Sequence, residues 1–367
     1  MLTHFEVQNF KQFKEPLVFD LSATRYEFNP ECVENGVVKK GLIYGPNGCG
    51  KSNLGLAIFD LIAHLTDNQC DRAHYKNYLN AESREEIAKF KFCFKFNKDC
   101  VEYNYSKKNC DLILHENLKI NGKEVISYNR GKLEIYLKGA ETLNTDLGGS
   151  KLSALKYIKR NSVLDNRNKN NKLFNVFFDF INRMLYFRSL DSIDYIGYEK
   201  GGGSITEDIL KQDHLKDFEK FLNEAGIECK LKAIQENGRG DIAFLFGDKY
   251  IRFFDAASTG TRSLGLFYFW LQRLQKTNEV SFVFIDEFDA FYHHKLSTLI
   301  INELKKISSQ VILTTHNTAI MTNDLLRPDC YFVMQNNEIK PLYKFTDKEL
   351  RIAHNIEKMY RAGAFNV

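Results

Sequence analysis

Several things are scarce in this sequence. Proline occurs five times in 367 residues, which excludes a collagen-like chain. Charge of one sign is nearly absent: 51 Lys and Arg against 47 Asp and Glu leave a net charge of +4, too weak to imply nucleic-acid binding by bulk charge. No uninterrupted apolar run approaches the roughly 20 residues of a membrane-spanning helix, so no membrane partner is expected. Met1–Glu6 lacks a basic segment followed by an apolar stretch, so a secretory signal is not expected. The eight cysteines (32, 49, 70, 93, 100, 110, 229 and 330) form no C-x-x-C pair, and none stands beside a histidine at zinc-ligand spacing. Free thiols in a reducing cytoplasm are the expectation. What is present is ordinary globular material, 44% hydrophobic and 27% charged. The length suits two or three domains, or one large α/β domain carrying an insertion.

The pattern changes along the chain. Phe5–Phe10 and Leu17–Leu21 read as a strand pair about a turn near Glu15-Pro16. Gly41-Leu42-Ile43-Tyr44 is a short apolar strand running into a glycine-rich turn, after which Leu54, Ile58, Leu61, Ile62 and Leu65 follow at helical spacing. From Lys89 to about Val125 the period becomes two: Phe90, Phe92, Phe94 and Phe96, then Val101, Tyr103 and Tyr105, with hairpin signals at Asn97-Lys98-Asp99 and Asn121-Gly122. Residues 150–235 are polar, with a helical pattern from Leu173 to Leu185, and Gly201-Gly202-Gly203-Ser204 reads as a mobile loop. Val280–Ile285 and Gln310–Leu313 are runs of the kind buried in parallel sheets, separated by an amphipathic helix through Leu296, Leu299, Ile300, Leu304 and Ile307.

The glycine turn carries chemistry. Gly45-Pro46-Asn47-Gly48-Cys49-Gly50-Lys51-Ser52 satisfies G-x-x-x-x-G-K-[ST] between a strand and a helix. Glycines allow the backbone N–H groups to wrap phosphate oxygens, the helix N-terminus adds its positive dipole end, Lys51 reaches the β- and γ-phosphates, and Ser52 offers a hydroxyl to Mg²⁺. Phe282-Val283-Phe284-Ile285-Asp286-Glu287 is a strand ending in two carboxylates. Asp286 is placed to hold Mg²⁺, directly or through water, and Glu287 to polarise the attacking water. Thr314-Thr315-His316-Asn317 ends the next apolar run, and parallel strands bring their C-terminal ends to one edge, so His316 can reach a γ-phosphate bound at Lys51.

These three elements resemble the ATP-binding cassette heads of SMC-like ATPases, and most nearly the AAA-type ATP-binding proteins of bacterial phage-defence and abortive-infection operons, relatives of the OLD-family ATPases. Asn9-Phe10-Lys11-Gln12-Phe13 is similar to the family's opening strand, Ala257-Ser258-Thr259-Gly260-Thr261 to its signature loop, Asp286–Asp289 to its extended Walker B, and Met359–Phe365 to its closing helix and glycine turn. The resemblance implies an α/β fold: a P-loop ATPase head with a central, mostly parallel sheet, an antiparallel β subdomain and a helical insertion. Residues 1–75 and 236–367 would form the core from both chain ends, 76–150 the β subdomain and 151–235 the helical lid. It also implies ATP and Mg²⁺ as cofactors, Gly45–Asn53 and Lys11 as nucleotide contacts, and a homodimer or higher homo-oligomer in which Ser258 and the Gly260 backbone touch the partner's γ-phosphate. The plainer reading of Ser258 or Thr259, a helix N-cap, stands beside the last point. Thr259 and Thr261 depart from the usual signature glycine and glutamine, and His293 stands where many heads carry a D-loop aspartate.

Other signals are weaker. Lys156, Lys159, Arg160, Arg167, Lys169 and Lys172 form a basic run that suits either nucleic acid or a solvated face. Phe10 and Phe13 could approach adenine or belong to the core. Cys49 lies inside the phosphate loop, where modification of its thiol would block nucleotide access; its ordinary reading is a small filler residue. No nuclease domain is expected beyond the ATPase pattern, so the functional expectation is a cytoplasmic ATPase that acts as sensor or regulator in an anti-phage system and controls a separate, operon-encoded, nuclease-like effector. The alternatives are a DNA-repair or chromosome-associated ATPase, and an ATP-clamped scaffold with little turnover.

Overall fold

A computed structural model describes residues 1–68, 72–148, 152–188, 195–197, 204–236, 238–276, 279–290 and 294–365. The glycine tract at 201–203 and His293 lie outside the described residues.

Two seven-stranded sheets organise the chain. The central one runs in the order 195–197, 184–188, 282–286, 310–315, 40–44, 331–335, 338–341. Its five inner strands are parallel, and the two edge strands are antiparallel. Phe282–Asp286 and Gln310–Thr315 are buried at every position, as expected of strands covered on both faces. The helix Lys51–Leu65 lies across the sheet. Its Gly55 permits this approach, since a Cβ there would stand 2.8 Å from the Phe284 ring.

The second sheet is wholly antiparallel, in the order 132–135, 123–129, 112–120, 99–109, 88–96, 2–8, 17–20. The alternating aromatics form its inner face: Phe90 stacks on Tyr105 at 4.8 Å, and Phe92 and Phe94 are parallel at 6.0 Å. Asn97 and Asn121 take the left-handed backbone that the tight hairpins require (φ 56° and 50°). Phe10 and Phe13 are fully buried, so both belong to the core. The sheets meet at the buried Gln310, whose side chain accepts from Leu2 N and donates to the carbonyls of Leu2 and Val38 at 2.8–2.9 Å.

The segment 151–235, read as a helical lid, contains strands as well as helices. Helices Ala154–Asn161 and Lys169–Asn182 precede the strand Met184–Arg188, which enters the central sheet beside Phe282–Asp286. Met184-Leu185-Tyr186-Phe187 continues the apolar pattern of the helix before it, and periodicity alone cannot separate the two. A three-stranded sheet, 231–236, 239–246 and 249–252, then leads into the helix Thr259–Leu274. The basic run is partly neutralised from within the fold. Lys156 and Arg160 converge on Asp67, Lys169 meets Asp99, Arg167 pairs with Asp165, and Lys159 donates to Asn175. Six cations thus meet three carboxylates, and the exposed Lys172 leaves the face solvated and still basic. Among the described residues no helix is long and apolar enough to cross a membrane.

Candidate functional site

The phosphate loop joins the strand Lys40–Tyr44 to the helix Lys51–Leu65. Gly45 is required by space, because a Cβ would come within 2.6 Å of the Met334 carbonyl. Gly50 is required by conformation as well: its φ is +107°, and a Cβ would strike the Gln12 amide. Gly50 is also the helix N-cap and supplies no side-chain acceptor, and no acidic residue occupies the first turn. The N–H groups at this end are therefore suited to an external anion. Lys51 is 4% exposed, and its Nζ donates to the carbonyls of Gly45 (2.7 Å) and Pro46 (3.1 Å), which holds the ammonium within the loop. Pro46, Asn47 and Gly48 are exposed, and Ser52 and Asn53 half-buried at the helix start. Burial raises the Cys49 thiol above its ordinary pKa, against the opposing charge of Lys51, so its thiolate is scarce at neutral pH.

Gln12 belongs to this site, although sequence reasoning did not single it out. Its Nε2 donates to the Cys49 carbonyl (2.7 Å), and its Oε1 accepts from Asn53 Nδ2 (2.9 Å). The turn that delivers it is held rigidly: Asn9 and Lys11 have φ of 55° and 48°, and Asn9 Nδ2 donates to the carbonyls of Glu85 and Ile87. Lys11 is directed elsewhere, its Nζ donating to the Lys76 carbonyl at 3.1 Å and its pKa lowered by burial.

Strand order places the remaining groups. Gln310–Thr315 lies between the phosphate-loop strand and Phe282–Asp286, so Asp286, His316 and Gly45 share the C-terminal edge of three adjacent parallel strands. The Gly45 N–H donates to the Thr315 carbonyl across that edge (3.3 Å). Thr314 is the second residue missed from sequence. Its buried hydroxyl donates to Asp286 Oδ1 and accepts from the Glu287 N–H, both at 2.7 Å. Glu287 has φ 45°, a left-handed backbone uncommon outside glycine and asparagine, and so it sits on a strained turn. Next to it, Thr315 Oγ1 donates to Asp289 Oδ1 (2.7 Å) and accepts from Asn317 N (2.9 Å). Burial raises the Asp289 pKa while the Thr315 bond opposes the shift. His316 itself is exposed at the strand end.

The donor set fits the expected cofactors: a lysine ammonium and a helix N-terminus suit polyphosphate, and a serine hydroxyl with a buried carboxylate suits Mg²⁺, which takes hard oxygen ligands. The signature loop is separate. Ser258 caps the helix Thr259–Leu274, its Oγ accepting from Thr261 N at 3.2 Å, which is the plain N-cap reading realised. Ser258 is nevertheless exposed, and among the described residues no hydrogen bond joins it or Gly260 to the phosphate loop of the same chain.

No curated protein matches the chain. Among solved structures, the chain is similar to an SMC head bound to the C-winged helix domain of ScpA (18% identity, covering 92% of this chain and 96% of that one, TM-score 0.48). It is also similar to the SMC head domain from Thermotoga maritima (15%, 92% and 97%, TM-score 0.41) and to the recombination mediator protein RecF-ATPrS in the RecFOR pathway (16%, 93% and 98%, TM-score 0.42). A family model described as "AAA domain, putative AbiEii toxin, Type IV TA system" matches residues 42–322, from the phosphate-loop strand past His316. The chain belongs to this family of ATP-hydrolysing AAA domains.

Proposed function

We propose that this ATPase is a nucleotide-gated component of an abortive-infection type defence, in which ATP joins two copies and the joined state controls a separate effector such as a nuclease. In this reading Lys51 and the N–H groups of residues 48–52 hold the polyphosphate, Ser52 and Asp286 hold Mg²⁺, Glu287 polarises the attacking water, and His316 faces the γ-phosphate. Mg²⁺ would supply charge neutralisation at the phosphates; the remaining work is done by groups the chain holds in place. The observation that carries the dimer is the signature loop. The exposed Ser258 hydroxyl and the start of a 16-residue helix, Thr259–Leu274, are not engaged with their own phosphate loop, as a contact made in trans requires.

The test is a pair of variants. Glu287→Gln should bind ATP, hydrolyse it at least about 100-fold more slowly, and accumulate as a dimer in light scattering. Lys51→Ala should neither bind nor dimerise, and Ser258→Arg should bind ATP as a monomer. Unchanged hydrolysis in Glu287→Gln removes the catalytic assignment. A wild-type chain that stays monomeric with saturating ATP removes the gating. A second reading follows from the family's description, which names a toxin. If the chain were itself the toxic component, expressing it alone would arrest growth in a Lys51-dependent way; the regulator reading expects arrest only with the effector present.

A further inference from the structure

The outer face of the antiparallel sheet forms a trough of about 550 Å³ on the side away from the aromatic core. Strand register arranges its side chains in two rows. One row crosses five strands as Glu6, Lys91, Asn104, Asn117 and Ser127, each directly opposite the next. The other, two residues along, is Gln8, Lys89, Ser106, His115 and Asn129. Four strand spacings make the trough about 19 Å long, and two residues of strand make it about 7 Å across.

Two observations at its centre call for a ligand. Ser106 is 7% exposed, and its buried hydroxyl has no hydrogen-bond partner. Asn117 donates its Nδ2 to Glu124, but its buried Oδ1 has no partner either. Such groups are costly to bury unsatisfied, at about 1–3 kcal/mol each. Beside them, Lys89 pairs with Glu85 and Glu6 with His4, while Lys91 between them has no ion pair among the described residues.

We propose that this trough binds an extended peptide segment carrying an acidic side chain, supplied by a partner polypeptide. His115 carries the one ring among the ten side chains, and Ile87, Phe90, Tyr105 and Tyr128 also line the trough. Its two lysines, one paired with Glu85 and the other opposite Glu6, fall short of the strongly basic groove that single-stranded nucleic acid requires. Four carboxamides and two hydroxyls instead offer the mixed donors and acceptors that match peptide N–H and C=O groups. A trough of this length accommodates about six extended residues. Peptide N–H groups satisfy Asn117 Oδ1 and Ser106 Oγ, and the acidic side chain meets Lys91. The inference does not depend on the defence reading or on the dimer.

The experiment selects a displayed library of random heptapeptides on the purified full chain, with depletion on Lys91→Glu. The expected result is a consensus with Asp or Glu at one fixed position. A fluorescein-labelled peptide of that consensus should bind saturably in anisotropy titrations. Lys91→Glu should weaken binding about tenfold or more, and Asn117→Ala and Ser106→Ala about three- to tenfold each. Lys51→Ala should leave it unchanged, which separates this site from the phosphate loop. Melting temperatures of the variants near that of the wild type show that the sheet is intact. No enriched consensus, binding indifferent to Lys91→Glu and Asn117→Ala, or Lys91-dependent binding of a dT12 oligonucleotide in place of peptide would each overturn the proposal.

Discussion

Replacing Thr314 with valine tests the carboxylate pair without touching either carboxylate. The side chains are of similar shape, so the exchange chiefly removes one hydroxyl and leaves its buried partners unpaired. That hydroxyl makes two bonds of 2.7 Å, one to the Asp286 carboxylate and one from the Glu287 N–H. The neutral bond from the Glu287 N–H contributes about 0.5–1.5 kcal/mol, and a left-handed non-glycine residue costs about 1–3 kcal/mol. The bond at Glu287 is thus comparable with the strain it helps to hold, and its removal leaves the backbone at residue 287 free to relax toward an ordinary conformation. General-base placement contributes about 10²–10⁴ in rate, so partial misplacement of Glu287 should lower kcat about 10- to 100-fold. The phosphate loop keeps its own bonds, and ATP affinity should change by less than about threefold, well under 1 kcal/mol. Single-turnover hydrolysis and nucleotide titration separate the two quantities. Thr314→Ser retains the hydroxyl and should restore most of the rate. Wild-type kcat in Thr314→Val, or equal losses in Thr314→Ser and Thr314→Val, would refute the role given to the hydroxyl.

Three further changes have calculable outcomes. Gln12→Ala removes two bonds at Cys49 and Asn53 and should weaken ATP binding about five- to twentyfold in titration, with a smaller effect on single-turnover hydrolysis at saturating ATP. Lys107 and Asp60 form a wholly buried pair at 2.7 Å, so Lys107→Met strands a carboxylate and should cost about 3–5 kcal/mol in urea unfolding, part of which the double variant with Asp60→Asn should recover. Lys40 Nζ donates to the Ile307 and Ser309 carbonyls, and burial lowers its pKa to about 7 against 10.5 in the unfolded chain. Between those values the unfolded chain binds the extra proton, so this lysine makes stability rise with pH above about 7 by up to about 1.4 kcal/mol per pH unit; Lys40→Met should remove that component from unfolding curves taken at pH 7 to 9.5.

What could be read in advance follows from how far apart cooperating residues lie. The phosphate loop is eight consecutive residues and the carboxylate pair is two, and each sits in a strand context that periodicity exposes. The aromatic alternation through Phe90–Phe96 and Val101–Tyr105 likewise announces its own sheet, because strand partners are joined by tight turns. Gln12 acts on a carbonyl 37 residues away, and Thr314 on a backbone N–H 27 residues back. Neither belongs to a local pattern, so only the fold displays their roles. The same limit governs charge: Lys156, Arg160 and Lys169 look like one basic run until Asp67 and Asp99 arrive from other elements. The strand Leu231–Glu236 was missed because its polar residues Lys232, Gln235 and Glu236 mask a pairing that only its partner, Arg239–Phe246, makes visible.

The antiparallel sheet is part of the mechanics of the nucleotide site, as its contacts show. The phosphate-loop helix is gripped at its first turn by Gln12, from the turn that follows the sheet's Leu2–Gln8 strand, through Asn53. Nearer its middle, Asp60 receives Lys107 Nζ and the hydroxyls of Tyr78 and Tyr105; near its end, His64 meets the Tyr103 hydroxyl, which itself donates to the buried Glu116. Glu116 in turn accepts from Ser153 Oγ and the Ala154 N–H, tying in the helix Ala154–Asn161. These bonds are buried, where an unmatched partner is costly, so they join the helix and the sheet into one network. Alternation along the strand Asp99–Asn109 sends Tyr105 and Lys107 inward to Asp60 and leaves Asn104 and Ser106 on the outer trough. One residue step therefore separates the trough from the helix that carries Lys51.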